Sequence, residues 1–328
     1  MSRQDFLNAI RRQNTGKPVF GTGTSIVCHE LMSQTGVFFP EAHTNAHKMA
    51  ALAMTGKTQL GFDVVMPLFS VCHEASAMGC NVNWGSMNQM PESGKPIFKT
   101  VDDIVIPDDL VKKSGCVVPL KAISLLKKEL GDTAAVCGKV FGSWTQAYHY
   151  FGIEDFLIMT LTEPDNVKRI LEKLKTVTIK FAHAQIDAGA DCILLADHAT
   201  RDLCSPAAYR EFLASMHAEL AEEINVPLIL HICGDTSDRV GMIAQTGLAC
   251  FHWDTRSGTP AHVRRLAGEK LALMGGINNT MLLNGSSEDV ALAVNDAFSA
   301  GIDVIGPECA VPLTTPLCNL KAIAETVL

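Results

Sequence analysis

From residue 134 onward, short apolar and β-branched runs alternate with longer stretches whose apolar residues recur at helical spacing. The runs cover residues 134–141, 191–196, 227–232, 249–253, 271–275 and 303–306. The intervening stretches carry helix signals. The stretch 163–188 has Pro164 near its start and Gly189 just past its end. The stretch 205–224 opens on Ser205-Pro206, a capping residue followed by proline at the first helical position, and 286–300 opens Ser-Ser-Glu-Asp and stops at Gly301. Two earlier runs, 18–24 and 62–67, have the same strand character. Eight strands, each able to be followed by a helix, predict parallel pairing through crossover helices and a closed (β/α)8 barrel. An open doubly wound sheet is the competing arrangement. It usually has a glycine-rich phosphate loop after its first strand, and Gly21-Thr22-Gly23-Thr24 is too short and irregular for one.

The insertions fall in the N-terminal third. Residues 81–115 are rich in Asn, Gly, Pro and Ser, which predicts an excursion within about 68–133 that contains a small hairpin. No repeat or linker marks a second domain, so residues 1–328 are read as a single barrel domain.

Composition narrows the function. No apolar run reaches the roughly 18 residues needed to span a bilayer. A net charge of −8 argues against nucleic acid. The stretch 1–12 is amphipathic and has neither the apolar centre nor the cleavage site of an export signal. The 11 cysteines are scattered and odd in number, which suits a reducing cytoplasm better than a disulfide framework. Most of them, Cys137, Cys192 and Cys250 among them, lie in strand-like runs and read as small core residues.

In a (β/α)8 barrel the chemistry sits where the strands end. The expected ends carry Asp197-His198, His231-Ile232-Cys233-Gly234, His252-Trp253-Asp254, Asn278-Asn279 and Glu308-Cys309. His231 and Cys233 are two apart on one strand and point the same way. Cys309 closes the last strand and can reach the same mouth. An imidazole and two thiolates make a soft set suited to Zn²⁺, and three protein ligands leave the open position of a catalytic site. Spacing alone is weak, since about 0.4 His-x-Cys pairs arise by chance at this composition. A core histidine with two packing cysteines therefore stays open as the alternative. Asp197 is a candidate to orient a ligand or substrate, or to cap the next helix. Asn278 and Asn279 are candidate contacts for a substrate or a large cofactor such as a corrinoid, or simply turn residues. Val-Cys-His-Glu occurs at both 27–30 and 71–74, but adjacent Cys and His point apart on a strand, so a second metal set is not expected.

Leu230-His231-Ile232-Cys233-Gly234 is followed by Gly306-Pro307-Glu308-Cys309, Thr315-Pro316 and Asn319-Leu320-Lys321-Ala322. Upstream stand Phe39-Pro40-Glu41-Ala42-His43-Thr44-Asn45, Glu74-Ala75 and Ala77-Met78-Gly79-Cys80. Together these resemble the methylcobamide:coenzyme M methyltransferases, a zinc-dependent branch of the uroporphyrinogen decarboxylase superfamily, over nearly the whole chain. The resemblance implies a (β/α)8 fold and zinc on His231, Cys233 and Cys309. It also implies methyl transfer from a methylcobamide on a separate corrinoid protein to a small-molecule thiol such as coenzyme M. Asp254 sits where the related cobalamin-independent methionine synthases carry a zinc-binding Glu, which makes it a candidate displaceable fourth ligand, with Glu74 as a second. The chain departs from the pattern at Glu308, where a smaller residue is expected, and at His252-Trp253-Asp254. Those departures leave the acceptor open, with folate chemistry, homocysteine or a methylated small molecule as alternatives, as is a corrinoid-binding module without turnover. No Asp-x-His-x-x-Gly cobalt-ligating motif is present. The decarboxylases' arginine-rich N-terminal segment is missing too, with no arginine between Lys17 and Lys168, so tetrapyrrole decarboxylation is not expected.

Overall fold

The computed structural model describes residues 2–13, 15 and 17–326; residues 1, 14, 16, 327 and 328, which the single-domain expectation also covers, lie outside the described residues. The strands are β1 (Val64–Val65), β2 (Val82–Asn83), β3 (Glu92–Ser93), β4 (Ala135–Phe141), β5 (Cys192–Ala196), β6 (Leu228–Ile232), β7 (Cys250–Trp253), β8 (Ala272–Ile277) and β9 (Val304–Pro307). Seven of them form one sheet in the order β1-β4-β5-β6-β7-β8-β9, with every neighbouring pair parallel. Sequential order with crossover helices curls the sheet into a barrel.

The eighth stave is reduced. Residues 18–24 were expected as a strand, yet only Phe20 forms a bridge, parallel to Ile305 of β9. Gly21 N–H donates to the Ile305 carbonyl at 3.0 Å, and on the other side Asp63 N–H donates to the Phe20 carbonyl at 2.8 Å. This segment therefore closes the ring between β9 and β1. It cannot run on as a regular strand. Pro18 has no N–H, Phe20 N–H is taken by the Asp63 carboxylate at 3.0 Å, and Gly21 has φ 148°. A Cβ at Gly21 would lie 2.6 Å from the Val64 side chain, so glycine is needed where the seam is drawn tight.

The three long predicted helices are present as Pro164–Asp187, as 206–223 with a wide π-type turn over Tyr209–Leu213, and as Ser287–Ser299. Ser286 caps the last of these reciprocally with Asp289, as its Ser-Ser-Glu-Asp start predicts. The excursion holds the expected hairpin, β2 paired antiparallel to β3, followed by the helix Ser114–Leu130. The apolar faces of helices and strands share one buried cluster. No helix among the described residues is long and apolar enough to cross a membrane.

Candidate metal centre

The register of the sheet sets out the barrel in rows. Phe141 of β4, Ala196 of β5, His231 of β6 and His252 of β7 stand in one row at the C-terminal end. Lys139 pairs with Leu194 one layer deeper. Just past Cys233, three residues above His231, the chain must turn away, and Gly234 does this with φ 87°; a Cβ there would lie 2.3 Å from the Thr200 hydroxyl.

The predicted triad assembles. His231 Nε2 lies 3.0 Å from Cys233 Sγ, Cys233 Sγ lies 3.1 Å from Cys309 Sγ, and Cys309 Sγ lies 3.5 Å from His231 Nε2. Among the described residues these three form the one group of His, Cys, Asp or Glu side chains placed to hold a metal ion. His231 Nδ1 is 3.2 Å from the His252 carbonyl. A carbonyl can only accept, so Nδ1 carries the proton and Nε2 presents its lone pair to the two sulfurs. The thiols share a proton unequally. The hydrogen bond from Cys233 holds Cys309 well below the ordinary thiol range, and the same contact, together with burial, pushes Cys233 well above it. One sulfur is thus already thiolate-like, and a soft cation would displace the remaining proton. Bonds of about 2.0–2.3 Å set the corners of a tetrahedral zinc site about 3.6–3.8 Å apart, so this triangle accepts the ion after shifts of a few tenths of an ångström. The donor set, its tautomer and its size all fit zinc.

The triad lines a cavity of about 520 Å³ at the mouth of the barrel, whose walls include Phe69, Phe141, Leu194 and Ile153. A larger depression of about 740 Å³ lies at the opposite end, against Ala9, Arg12, Pro18, Phe298 and Asp303, and holds none of the candidate residues.

The other candidates fall in different places. Asp197 lines the cavity. Its carboxylate accepts from Thr145 N–H at 2.8 Å and Thr145 Oγ1 at 3.1 Å, at the N-terminus of the helix Ser143–Phe151. It therefore serves a helix that precedes it in the chain, whereas the capping alternative placed it on the next one. Its other oxygen meets the fully buried His217 Nε2 at 3.1 Å, and His217 Nδ1 meets the Tyr209 hydroxyl at 3.0 Å. Asp254 stands beside the triad but outside it. It accepts from Gly234 N–H at 2.8 Å, from Arg256 N–H at 2.9 Å and from the Arg256 guanidinium at 3.1 Å. Despite burial, those partners hold its carboxyl below the usual range. Glu74 accepts from Phe141 N–H at 2.8 Å, and its second oxygen has no hydrogen-bond partner. Burial pushes it up to about 7.

Asn278 and Asn279 are not brought to the cavity. Asn278 caps the helix Asn279–Asn284 and donates to Glu308, while Asn279 donates to the Ala310 carbonyl. Glu308 accepts from Thr255 N–H at 2.8 Å and Asn279 N–H at 2.8 Å, so it ties together the loops after β7 and β8, directly beside Cys309. Three residues with a place in the site escaped the sequence reading: Lys139, Thr145 and His217. A lone lysine in the otherwise apolar run 134–141 was the signal for the first. Thr145 and His217 carried none, since both sit on helices among ordinary core residues.

The uroporphyrinogen decarboxylase (URO-D) family pattern matches residues 1–328. The chain is 31% identical over 305 residues to the methylcobamide:CoM methyltransferase MtaA of Methanosarcina barkeri, covering 92% of this chain and 89% of that protein. It is 31% identical over 296 residues to a methylated-thiol–coenzyme M methyltransferase of Methanosarcina mazei, covering 89% of this chain and 80% of that protein. A solved methyltransferase from Methanosarcina mazei superposes with a TM-score of 0.94 at 28% identity, covering 99% of this chain and 97% of that one. The chain belongs to the uroporphyrinogen decarboxylase family and, within it, to the branch of the methylcobamide:CoM methyltransferases.

Proposed function

We propose that this enzyme moves a methyl group from a methylated corrinoid, delivered by a partner protein, to a small-molecule thiol of the coenzyme M kind, with zinc held by His231, Cys233 and Cys309. The observation that carries the reading is the donor triangle itself, tautomer set, in the wall of a cavity at the barrel mouth. The family's named activities support it.

Zinc at this position supplies the Lewis acidity that keeps an acceptor sulfur deprotonated and nucleophilic at neutral pH. The chain's own residues do the rest. The His252 carbonyl holds the His231 ring in its ligating orientation. Phe69, Phe141 and Leu194 keep water from the acceptor, which strengthens every charge interaction in the cavity. In the transfer the thiol gives up its proton to solvent and its sulfur forms a bond to the methyl carbon. The electron pair of the cobalt–carbon bond stays on cobalt, which passes from Co(III) to Co(I). A cavity of about 520 Å³ suits a small thiol and is far too small for a corrinoid. The corrinoid therefore approaches over the mouth, past the rim formed by the 68–133 excursion of a single barrel domain. Of the two candidates for a displaceable fourth ligand, Asp254 touches the turn after Cys233 through Gly234, whereas Glu74 faces the backbone of β4. This reading places the enzyme in the cytoplasm, away from nucleic acid and membrane.

Metal content of wild type against Cys233→Ala and Cys309→Ala, with methyl transfer from free methylcobalamin to a thiol, tests the function. About one zinc per chain, lost in both variants along with thiol-dependent demethylation, is the expected result. A wild type that binds no zinc after anaerobic purification and resupply would overturn it.

A further inference from the structure

The acceptor's proton ends in solvent, yet Phe69, Phe141 and Leu194 keep water from the sulfur that gives it up. A carrier on the cavity wall is needed, and most titratable side chains there are engaged. The Asp197 carboxylate already accepts from Thr145 and faces His217. His149 Nδ1 lies 2.6 Å from the Ser93 hydroxyl. Burial pulls the Lys139 ammonium down to about 8, so at neutral pH it mostly keeps its proton and has no lone pair to offer. Burial also pushes the Tyr148 phenol well above its ordinary range. His198 is different. It lines the same cavity and is itself exposed, so one side chain meets both the cavity and solvent. Its backbone is held on both sides. The N–H donates to Thr145 Oγ1 at 2.7 Å, and the carbonyl accepts from the Tyr148 hydroxyl at 3.4 Å. Among the described residues the imidazole makes no hydrogen bond, and the Tyr148 ring packs edge-on to it at 6.4 Å between centroids.

The register of the sheet brings this ring to the donor triangle. Ala196 pairs with His231, and Asp197 N–H donates to the His231 carbonyl at 3.0 Å. His198 at the end of β5 therefore falls in register with Cys233 at the end of the neighbouring β6. Beside Tyr148, the titratable and charged groups around the ring are His231, Cys309, Asp197 and Arg256. Burial against the wall is the largest influence and lowers the imidazole below its ordinary value. His231 and Arg256 add to the fall, while Cys309 and Asp197 oppose it. At neutral pH the ring is thus uncharged, with a lone pair on one nitrogen. We propose that His198 is the general base of the transfer, taking the proton from the acceptor thiol and releasing it to solvent at the cavity rim. The S–H bond breaks and its electron pair stays on sulfur. The proton goes to the unprotonated ring nitrogen and from there to water. The inference rests on the thiol-methyltransferase reading and adds the residue that carries the proton.

A histidine that only shapes the rim would change how tightly a thiol binds, whereas a base changes how fast the thiol is deprotonated. Zinc-loaded wild type, His198→Ala and His198→Gln, each checked for zinc content, are mixed with 2-mercaptoethanesulfonate in weak buffer without a methyl donor. An indicator dye follows the proton released. The expected result is about one proton per chain in all three proteins, released roughly a hundredfold more slowly in both variants, the low end of what a positioned base contributes. Thiol affinity measured by calorimetry should stay as in wild type. Methyl transfer from free methylcobalamin should fall with the proton-release rate, and added imidazole should restore it in His198→Ala without speeding wild type. Proton release at one rate in all three proteins overturns the inference. So does a slow His198→Ala that imidazole fails to rescue, or a loss confined to thiol affinity. A wild type that releases no proton on meeting the thiol overturns the thiol-methyltransferase reading and this inference with it, an outcome distinct from equal rates.

Discussion

A methyl group has no room where Gly142 meets Asp197. A Cβ at that glycine would lie 2.2 Å from the carboxylate carbon, and the carboxylate is held on its other side by Thr145 and His217. Gly142→Ala should therefore cost about 1–3 kcal/mol in urea unfolding, the usual scale of overpacking, while leaving zinc content intact. An unchanged unfolding midpoint would show that Asp197 can retreat. At the same scale, zinc-edge absorption with and without thiol tests the fourth ligand: an oxygen neighbour should give way to a sulfur, and an unchanged ligand count would remove Asp254 and Glu74 from that position. Residue by residue, the triad was legible because period-two spacing put His231 and Cys233 on one face and the end of the last strand put Cys309 at the same mouth. For Asn278 and Asn279 the sequence left a contact and a turn open, because the two look the same there, and the structure adds that Asn278 caps a helix and donates to Glu308 across the next loop.

Among elements, the short helix His73–Ala77 docks on β4 through Glu74, whose carboxylate takes the Phe141 N–H. Burial raises this carboxyl from 4.5 to about 7. A raised folded-state value means stability is fullest below the unfolded value and falls as pH rises through the folded one. Wild type should lose on the order of 2 kcal/mol between about pH 4.5 and 7 from this group, and Glu74→Gln should flatten that part of the profile. An equal change in urea-unfolding free energy between pH 5 and pH 8 in wild type and Glu74→Gln would refute the assignment. The helix was not legible as a support of β4, since its contact joins residues 67 apart in sequence. The long helices were legible because their caps and breakers are local.

For the whole molecule, the barrel is a ring with one thin joint. Between β9 and β1 the closure rests on Phe20 and a few neighbouring backbone bonds, where the other staves pair through regular ladders. Hydrogen exchange should be faster over 19–21 than over β4–β6, because opening the joint breaks fewer bonds than parting two central strands. Equal protection would mean that the ring opens only by global unfolding. The eightfold alternation predicted the ring from sequence. It did not predict the weak joint, because an aspartate side chain filling in for a strand carbonyl has no signature in hydrophobic pattern.

The joint and the candidate metal centre meet in the order of synthesis. Cys233 and Cys309 are 76 positions apart, and Cys309 follows β9, the strand that Phe20 must find. A ribosome thus delivers His231 and Cys233 long before Cys309. Cys309 is positioned by the same docking that joins Phe20 to β9. A translation product halted before β9 would carry most of the staves and two donors but no centre. Catalytic competence in a cell would therefore report on chains synthesised past Cys309, and stalled fragments would contribute none.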